Sequence, residues 1–130
     1  MTLSIAILGT ALLFGGMTLY SFGFAAFLFS VLPAQTAGTA LRRAFPWFYA
    51  FVIAMATLSA LFWWRHDMLS ALVLSVVAIT TLPVRQLLMP AITDATDLGH
   101  RSRFKWLHGL SVLVTVGHIV ATGWLLARLA

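Results

Sequence analysis

Long apolar runs without a single charged side chain make up most of this sequence. They are residues 1–41, 44–64, 68–84 and 106–127. An α-helix rises about 1.5 Å per residue and the hydrocarbon core of a bilayer is about 30 Å thick, so about 20 apolar residues cross it. Each run reaches or nearly reaches that length. The pattern therefore predicts an all-α, integral membrane protein folded as a four-helix bundle.

Breaks in the apolar pattern set the limits of the four predicted spans. We expect them at about 3–32, 47–64, 68–88 and 106–126, within a single transmembrane domain that covers residues 1–130. All five tryptophans fall near the ends of the apolar runs. Tryptophan is enriched where a membrane meets water, so these positions support the same boundaries.

Local signals refine the predicted helices. The first span is longer than a perpendicular crossing needs, and the Gly-Gly pair at 15–16 is its expected hinge. We expect Pro33 to end this span and residues 35–45 to form a separate short helix at the membrane surface. Pro83 is expected to bend the third span, because proline removes a helical hydrogen bond. The polar segment 90–105 is expected to be a long connection.

Composition and charge narrow the function classes. With 62% hydrophobic and 8% charged residues, the chain could not cover the surface of a soluble domain. The net charge of +5 comes from bases spread over the span ends, which favours contact with the lipid bilayer over binding of nucleic acid. The sequence has no cysteine, which excludes disulfides and thiolate metal sites. No predicted span contains an acid, which counts against proton-coupled export through a membrane carboxylate.

The distribution of basic residues predicts the orientation. Basic residues favour the cytoplasmic side. One side of the predicted bundle holds only Arg65 and Arg128. The other side holds Arg42, Arg43, Arg85, Arg101, Arg103 and Lys105. We therefore expect loops 33–46 and 89–105 in the cytoplasm and both termini outside, in a bacterial inner membrane.

A polar stripe in the fourth span is the main candidate site. Its members follow steps of three and four, which place them on one helical face. They are His108, Ser111, Thr115 and His118, with Thr122 continuing the series. A polar face is costly toward lipid, so we expect it to form the polar core of the bundle, either as interhelical hydrogen bonds or as a functional site. Histidine titrates near neutrality and also ligates haem.

Two further residue sets have structural and functional interpretations. Small residues recur every seven positions in the first span at Gly9, Gly16 and Gly23, which predicts close helix packing. The alternative is a ligand groove lined by Phe14, Tyr20 and Phe24. In the third connection, we expect ion pairs among Arg85, Asp94, Asp97 and Arg101. The alternative there is a weak divalent-cation site at Asp94, Asp97 and His100.

Two groups of short motifs resemble the transmembrane-protein-205-like family, which is also catalogued as a domain of unknown function. The first group comprises Phe14-Gly15-Gly16-Met17, Phe27-Leu28-Phe29, Leu32-Pro33 and Phe45-Pro46. The second comprises Arg85, Pro90, Phe104 and Leu107-His108-Gly109-Leu110-Ser111. The resemblance implies a compact bundle of four membrane helices. It marks Gly16, Arg85, Pro90, His108 and Ser111, and this chain departs from the pattern at Met89 and Thr115.

The sequence thus favours a small multi-pass membrane protein that is not an enzyme. We expect a small-molecule or metal-handling component, or an accessory subunit, with the polar stripe at its core. One alternative is a haem-binding redox protein with His108 or His118 as axial ligand. Another is a structural or assembly subunit of a larger membrane complex. A homo-oligomer is compatible with each of these, and no metal site is predicted from the residues alone.

Overall fold

Four long helices joined by short connections account for nearly all of the chain. The computed structural model describes residues 1–130. Helix α1 is Thr2–Val31, α2 is Ala34–Trp63, α3 is Met68–Asp97 and α4 is Arg101–Ala127. All four are long and apolar enough to cross a membrane. The structure therefore confirms the predicted all-α membrane bundle.

Helices that are neighbours in the chain are also neighbours in space. Helix α1 packs on α2, α2 on α3 and α3 on α4, and α4 closes the ring against α1. Short connections make successive helices antiparallel. Both chain ends and the connection 64–67 consequently lie at one end of the bundle, called here the termini end. The connections 32–33 and 98–100 lie at the other, called here the basic end.

Polar contacts tie the segments of the termini end together. The Thr2 hydroxyl and His66 Nε2 are 2.9 Å apart. Asp67 caps α3 by accepting hydrogen bonds from the backbone N–H and the hydroxyl of Ser70, at 3.2 and 2.5 Å. Arg128 forms an ion pair of 3.2 Å with the same carboxylate. The hydrogen bond from the Ser70 hydroxyl is the main reason that the pKa of Asp67 is lowered, and the charge of Arg128 contributes further.

Two predicted boundaries at the basic end were wrong. Residues 35–45 are the first turns of α2, which runs without a break through Pro46. Proline is tolerated in membrane helices because neighbouring groups compensate the lost backbone hydrogen bond. Helix α3 continues to Asp97, so only residues 98–100 connect it to α4, with Gly99 at a φ of +70°. Glycine has no Cβ and adopts this left-handed conformation readily, which makes the short turn feasible.

The irregularities within helices lie close to, but not at, the predicted sites. The Gly-Gly pair at 15–16 is in regular α-helix, and the irregular part of α1 is a π-helical segment at Leu19–Phe24. A second π-helical segment, Val84–Leu88, follows Pro83 directly. Segments of this kind insert an extra residue into a helix and are frequent at functional sites.

The bundle core runs between the four helices and contains one buried tryptophan. Trp63 is 2% exposed, and its indole N–H donates a hydrogen bond of 2.9 Å to the hydroxyl of Thr10 on α1. The other tryptophans are exposed, as expected for side chains at a membrane surface. The largest fully buried apolar side chains are Leu13, Met17, Val52, Leu74, Val77 and Leu125.

Candidate functional site

Two adjoining cavities lie toward the basic end, the first between α1, α2 and α4 and the second reaching α3 as well. Their volumes are about 250 and 220 Å³. Five residues line both of them, and we call the joined space the lateral cleft. The shared residues are Phe29, Leu41, Phe45, His108 and Ser111.

The cleft has a polar lining that comes from three helices. The first cavity adds Ser21 from the π-helical segment of α1, Tyr49 from α2 and Thr115 from α4. The second adds Arg42 from α2 and, from α3, the buried apolar residue Met89. Side chains that are far apart in the sequence thus converge on one space. A small-molecule site characteristically combines apolar walls with a few polar groups in this way.

The rim of the cleft faces outward from the bundle. Phe22 and Phe29 on α1 are 55% and 51% exposed, and Val112 and Val116 on α4 are also exposed. Beyond its π-helical segment, the second half of α1 (25–31) packs mainly against α2, whereas the first half contacts both α2 and α4. The gap between α1 and α4 therefore opens sideways, on the outer surface of the bundle.

The structure separates the predicted polar stripe into two parts. Three of its members, His108, Ser111 and Thr115, line the cleft. His118 instead lies 2.8 Å from the Thr80 hydroxyl of α3, measured at Nε2. The ten residues from His108 to His118 fall about 80° short of three full turns at about 3.6 residues per turn, so the stripe winds around α4. One polar core shared by all four residues stays a prediction.

The polar groups of the cleft differ in how far they are hydrogen-bonded within the chain. The Ser111 hydroxyl donates to the carbonyl of His108 on its own helix, at 2.8 Å. The His108 ring stacks on Phe104, with centroids 5.5 Å apart. The Ser21 hydroxyl is buried and makes no hydrogen bond in the chain. Hydrogen-bonding capacity is therefore present in a largely apolar space.

The three predicted packing glycines have different surroundings. A Cβ built on Gly9 would lie 2.5 Å from the Ser59 hydroxyl oxygen, and one on Gly16 would lie 2.8 Å from the Phe51 ring, so both face α2 closely. A Cβ on Gly23 would approach only Leu19 of its own helix. Close contact with α2 therefore occurs at two of the three positions.

The aromatic side chains of the alternative ligand groove on α1 contact other side chains of the bundle instead, although Phe24 is 37% exposed. Phe14 lies against Gly123 of α4, where a Cβ would come within 3.0 Å of its ring. Tyr20 stacks on Phe48 with centroids 4.3 Å apart, and Phe24 packs on Tyr20 at 5.3 Å. These three residues do not line the lateral cleft.

The predicted ion pairs of the third connection do not form. Arg85 Nε donates to the carbonyl of Pro46 at 3.1 Å. Asp97 and Arg101 are not an i,i+4 pair on one helix, because the turn at 98–100 lies between them. Asp94 is exposed and likewise unpaired, and the single ion pair of the chain joins Arg128 to Asp67. Nor do His, Asp or Glu side chains gather anywhere in a group of three that suits a metal ion.

Sequence reasoning missed Arg42 and Tyr49 as lining residues of the cleft. In the sequence, Pro46 indicates a helix break, which places Arg42 on a separate surface helix where it bears only on the orientation. Once α2 is continuous, Arg42 lies two turns from Tyr49 on the same helix and points into the same space as the stripe. The seven-residue spacing of these two residues was the available signal, since it places them on one helical face.

These features define a small multi-pass integral membrane protein with a cleft on the side of its bundle. The chain belongs to the family described as domain of unknown function DUF4149, whose model matches residues 8–101. The match covers the first group of motifs together with Arg85 and Pro90, and it ends before His108. Neither the curated proteins nor the solved structures contain a match to the chain.

Proposed function

We propose that this protein binds a small amphipathic molecule from within the bilayer and is not an enzyme. The lateral cleft carries the proposal, because it joins hydroxyl and imidazole groups to apolar walls and opens sideways to lipid. Small-molecule pockets begin at about 300 Å³. Each cavity is slightly smaller, and the joined cleft falls at the small end of that range. Transport, storage or presentation of such a molecule are all compatible with this binding step.

Photolabelling tests this binding directly. The probe is a monoacylglycerol with a diazirine in its acyl chain, added to the purified protein in phosphatidylcholine nanodiscs. We expect mass spectrometry to find the label concentrated at the cleft rim, near Phe22 and Val112. Thr115→Phe fills the cavity and should abolish this labelling. Val120→Phe adds the same ring to an exposed position of α4 and should leave labelling unchanged. Uniform labelling of all lipid-facing surfaces, insensitive to Thr115→Phe, would contradict the proposal.

Haem binding is less well supported by the residues present. His118 is already engaged by Thr80. His108 lines the joined cleft together with Met89, which is a haem ligand type, but this cleft is only at the small end of the range of small-molecule pockets, which suits a narrow molecule. The site as folded does not fit a macrocycle, and no redox step is derived. We expect the protein, purified from haem-replete cells, to show no Soret band before or after dithionite. A stoichiometric Soret band would reverse this conclusion.

Assembly into an oligomer or a larger complex is a second candidate function. Gly109 and Gly117 on α4 have nothing within 4 Å of a Cβ built on either, so a neighbouring helix could approach closely there. Because the chain lacks cysteine, Gly117→Cys introduces a unique thiol. Oxidative crosslinking of this variant in membranes, with Val76→Cys as an exposed control on α3, distinguishes self-association from a monomer.

We also propose an orientation with the basic end in the cytoplasm of a bacterial cell. Its support is the excess of basic residues at that end. Ala130→Cys and Ser102→Cys each place one thiol at an opposite end of the bundle. A membrane-impermeant maleimide should label Ala130→Cys in intact cells and Ser102→Cys only after permeabilisation. The reverse pattern would invert the topology.

We also propose that the chain is related to the transmembrane-protein-205-like family. The two groups of short motifs and their order along the chain support this relationship. If it holds, the marked positions Arg85 and His108 should matter for the function of this protein. Replacing each in turn, with Arg103 as an exposed control, and measuring cleft labelling would test their importance here.

A further inference from the structure

Arg42 is the cation of the lateral cleft, and no carboxylate neutralises it. Its side chain is half-buried and lines the second cavity with His108 and Ser111. Its guanidinium donates one hydrogen bond, of 3.3 Å, to the Thr39 hydroxyl on the same helix. A guanidinium has five N–H donors, so most of the hydrogen-bonding capacity of Arg42 is unused within the chain.

The acids of the chain lie elsewhere. Asp67 pairs with Arg128 at the termini end. Asp94 and Asp97 are at the basic end, but both are exposed and neither lines the cleft. The cleft therefore holds a net positive charge close to the low-dielectric region of the membrane. Arginine matches a carboxylate or phosphate group with two parallel hydrogen bonds, and such charge-assisted bonds are stronger than neutral ones.

The long axis of the cleft runs from the membrane surface toward its centre. Arg42 lies about 32 Å from the termini end of α2, and Thr115 about 18 Å from the termini end of α4, at about 1.5 Å per residue. In a hydrocarbon core about 30 Å thick, Arg42 is then at the interface and Thr115 near mid-depth. The walls between them are apolar and include Phe22, Phe29 and Val116.

We propose that the occupant of the cleft is an anionic single-chain amphiphile, with its carboxylate or phosphate on Arg42 and its chain along the apolar walls. This inference rests on the proposed binding function and specifies its ligand class. A single chain follows from the size of the joined cavities, which is at the lower limit of small-molecule pockets. The anion follows from Arg42, which otherwise lacks a partner of opposite charge.

The test compares two probes with the same chain and different head groups. Diazirine-bearing octadecanoic acid and the corresponding octadecanol are titrated against the protein in phosphatidylcholine nanodiscs. On the wild-type protein, half-maximal labelling of the cleft should need about tenfold less acid than alcohol, because one charge-assisted hydrogen bond accounts for at least that factor. Arg42→Gln should remove the difference. Arg43→Gln, which neutralises the exposed neighbouring arginine, should keep it within about twofold.

Competition separates the ligand sources. Oleate and dodecyl phosphate should displace the acid probe, whereas nanodiscs enriched in phosphatidylglycerol should not. Equal displacement by phosphatidylglycerol would overturn the single-chain inference, because Arg42 would then contact ordinary lipid head groups. Equal labelling by acid and alcohol would overturn the anion and leave the binding function intact. Failure of both probes to label the cleft would instead refute the binding function itself.

Discussion

Gly9 offers a specific test of the packing between α1 and α2. A side chain introduced at this position would meet one obstructing atom, the hydroxyl oxygen of Ser59. A Cβ built on Gly9 would lie 2.5 Å from the hydroxyl oxygen of Ser59, which is far inside van der Waals contact. The same Cβ would lie 3.6 Å from the Ser59 Cβ, which is ordinary contact. Ser59 is 1% exposed and its hydroxyl makes no hydrogen bond. Gly9→Ala should therefore clash with that hydroxyl alone.

The expected magnitude follows from comparison with Gly15→Ala. Both substitutions gain the same helix propensity, up to about 1 kcal/mol, but nothing lies within 4 Å of a Cβ on Gly15. Overpacking in a packed interior costs about 1–3 kcal/mol. Gly9→Ala should thus be less stable than Gly15→Ala by about that amount. Ser59→Ala removes the obstructing oxygen without breaking a hydrogen bond, so the double variant should be as stable as Gly15→Ala.

Unfolding in mixed micelles by increasing the SDS fraction, followed by far-UV circular dichroism, measures these differences. The four proteins of the cycle are the wild type, Gly9→Ala, Ser59→Ala and the double variant. We expect a coupling of about 1–3 kcal/mol, in the range observed for residues in contact. If Gly9→Ala is equally costly with and without the Ser59 hydroxyl, the close approach of α1 and α2 at this level is refuted.

Three further predictions concern polar contacts between helices. Trp63→Phe should lower stability by about 0.6–1.7 kcal/mol in the same assay through loss of its hydrogen bond to α1, whereas Trp64→Phe, at an exposed position, should have little effect. Because the pKa of Asp67 is lowered in the folded state, its contribution to stability should be present above the ordinary pKa of 3.8 and lost as the pH falls through the lowered value. Asp67→Asn should flatten this part of the pH profile. His118→Leu should cost about 0.6 kcal/mol and leave cleft labelling unchanged, since this ring faces α3; a loss of labelling would place His118 in the binding site after all.

The four spans were predictable because charge-free runs of sufficient length have few alternatives to a membrane helix. The continuation of α2 and α3 beyond the predicted spans, at 34–46 and 89–97, was not predictable. These segments carry polar residues and prolines that interrupt the apolar pattern. An amphipathic continuation beyond the hydrocarbon core has the same local composition as a surface loop. The 34–46 extension packs against the second half of α1, and the 89–97 extension packs against α4. These contacts decide the structure, and they are not local in the sequence.

The candidate site was predictable only in part for a similar reason. The fourth span showed His108, Ser111 and Thr115 on one face, because period and polarity are visible in a sequence. The wall opposite them comes from Ser21 and Arg42, which are distant in the chain. Ser21 lies in a π-helical segment that has no distinct composition, and the position of Arg42 depends on the continuity of α2 through Pro46. The split of the stripe at His118 also needed the actual positions of the neighbouring helices.

The π-helical segment of α1 rotates the faces of the residues after it relative to the faces of the residues before it. Gly9 and Gly16 lie before it and share a face toward α2, whereas Gly23 lies within it and faces no neighbouring helix. The extra residue of a π turn offsets everything that follows by about one position, or about 100°. Deleting one residue from 19–24 should therefore restore regular α-helical geometry and rotate the second half of α1 about its own axis. Phe29 would then point in a different direction, and the cleft would close. One inserted residue thus lets the same helix seal the bundle along half its length and open it along the other.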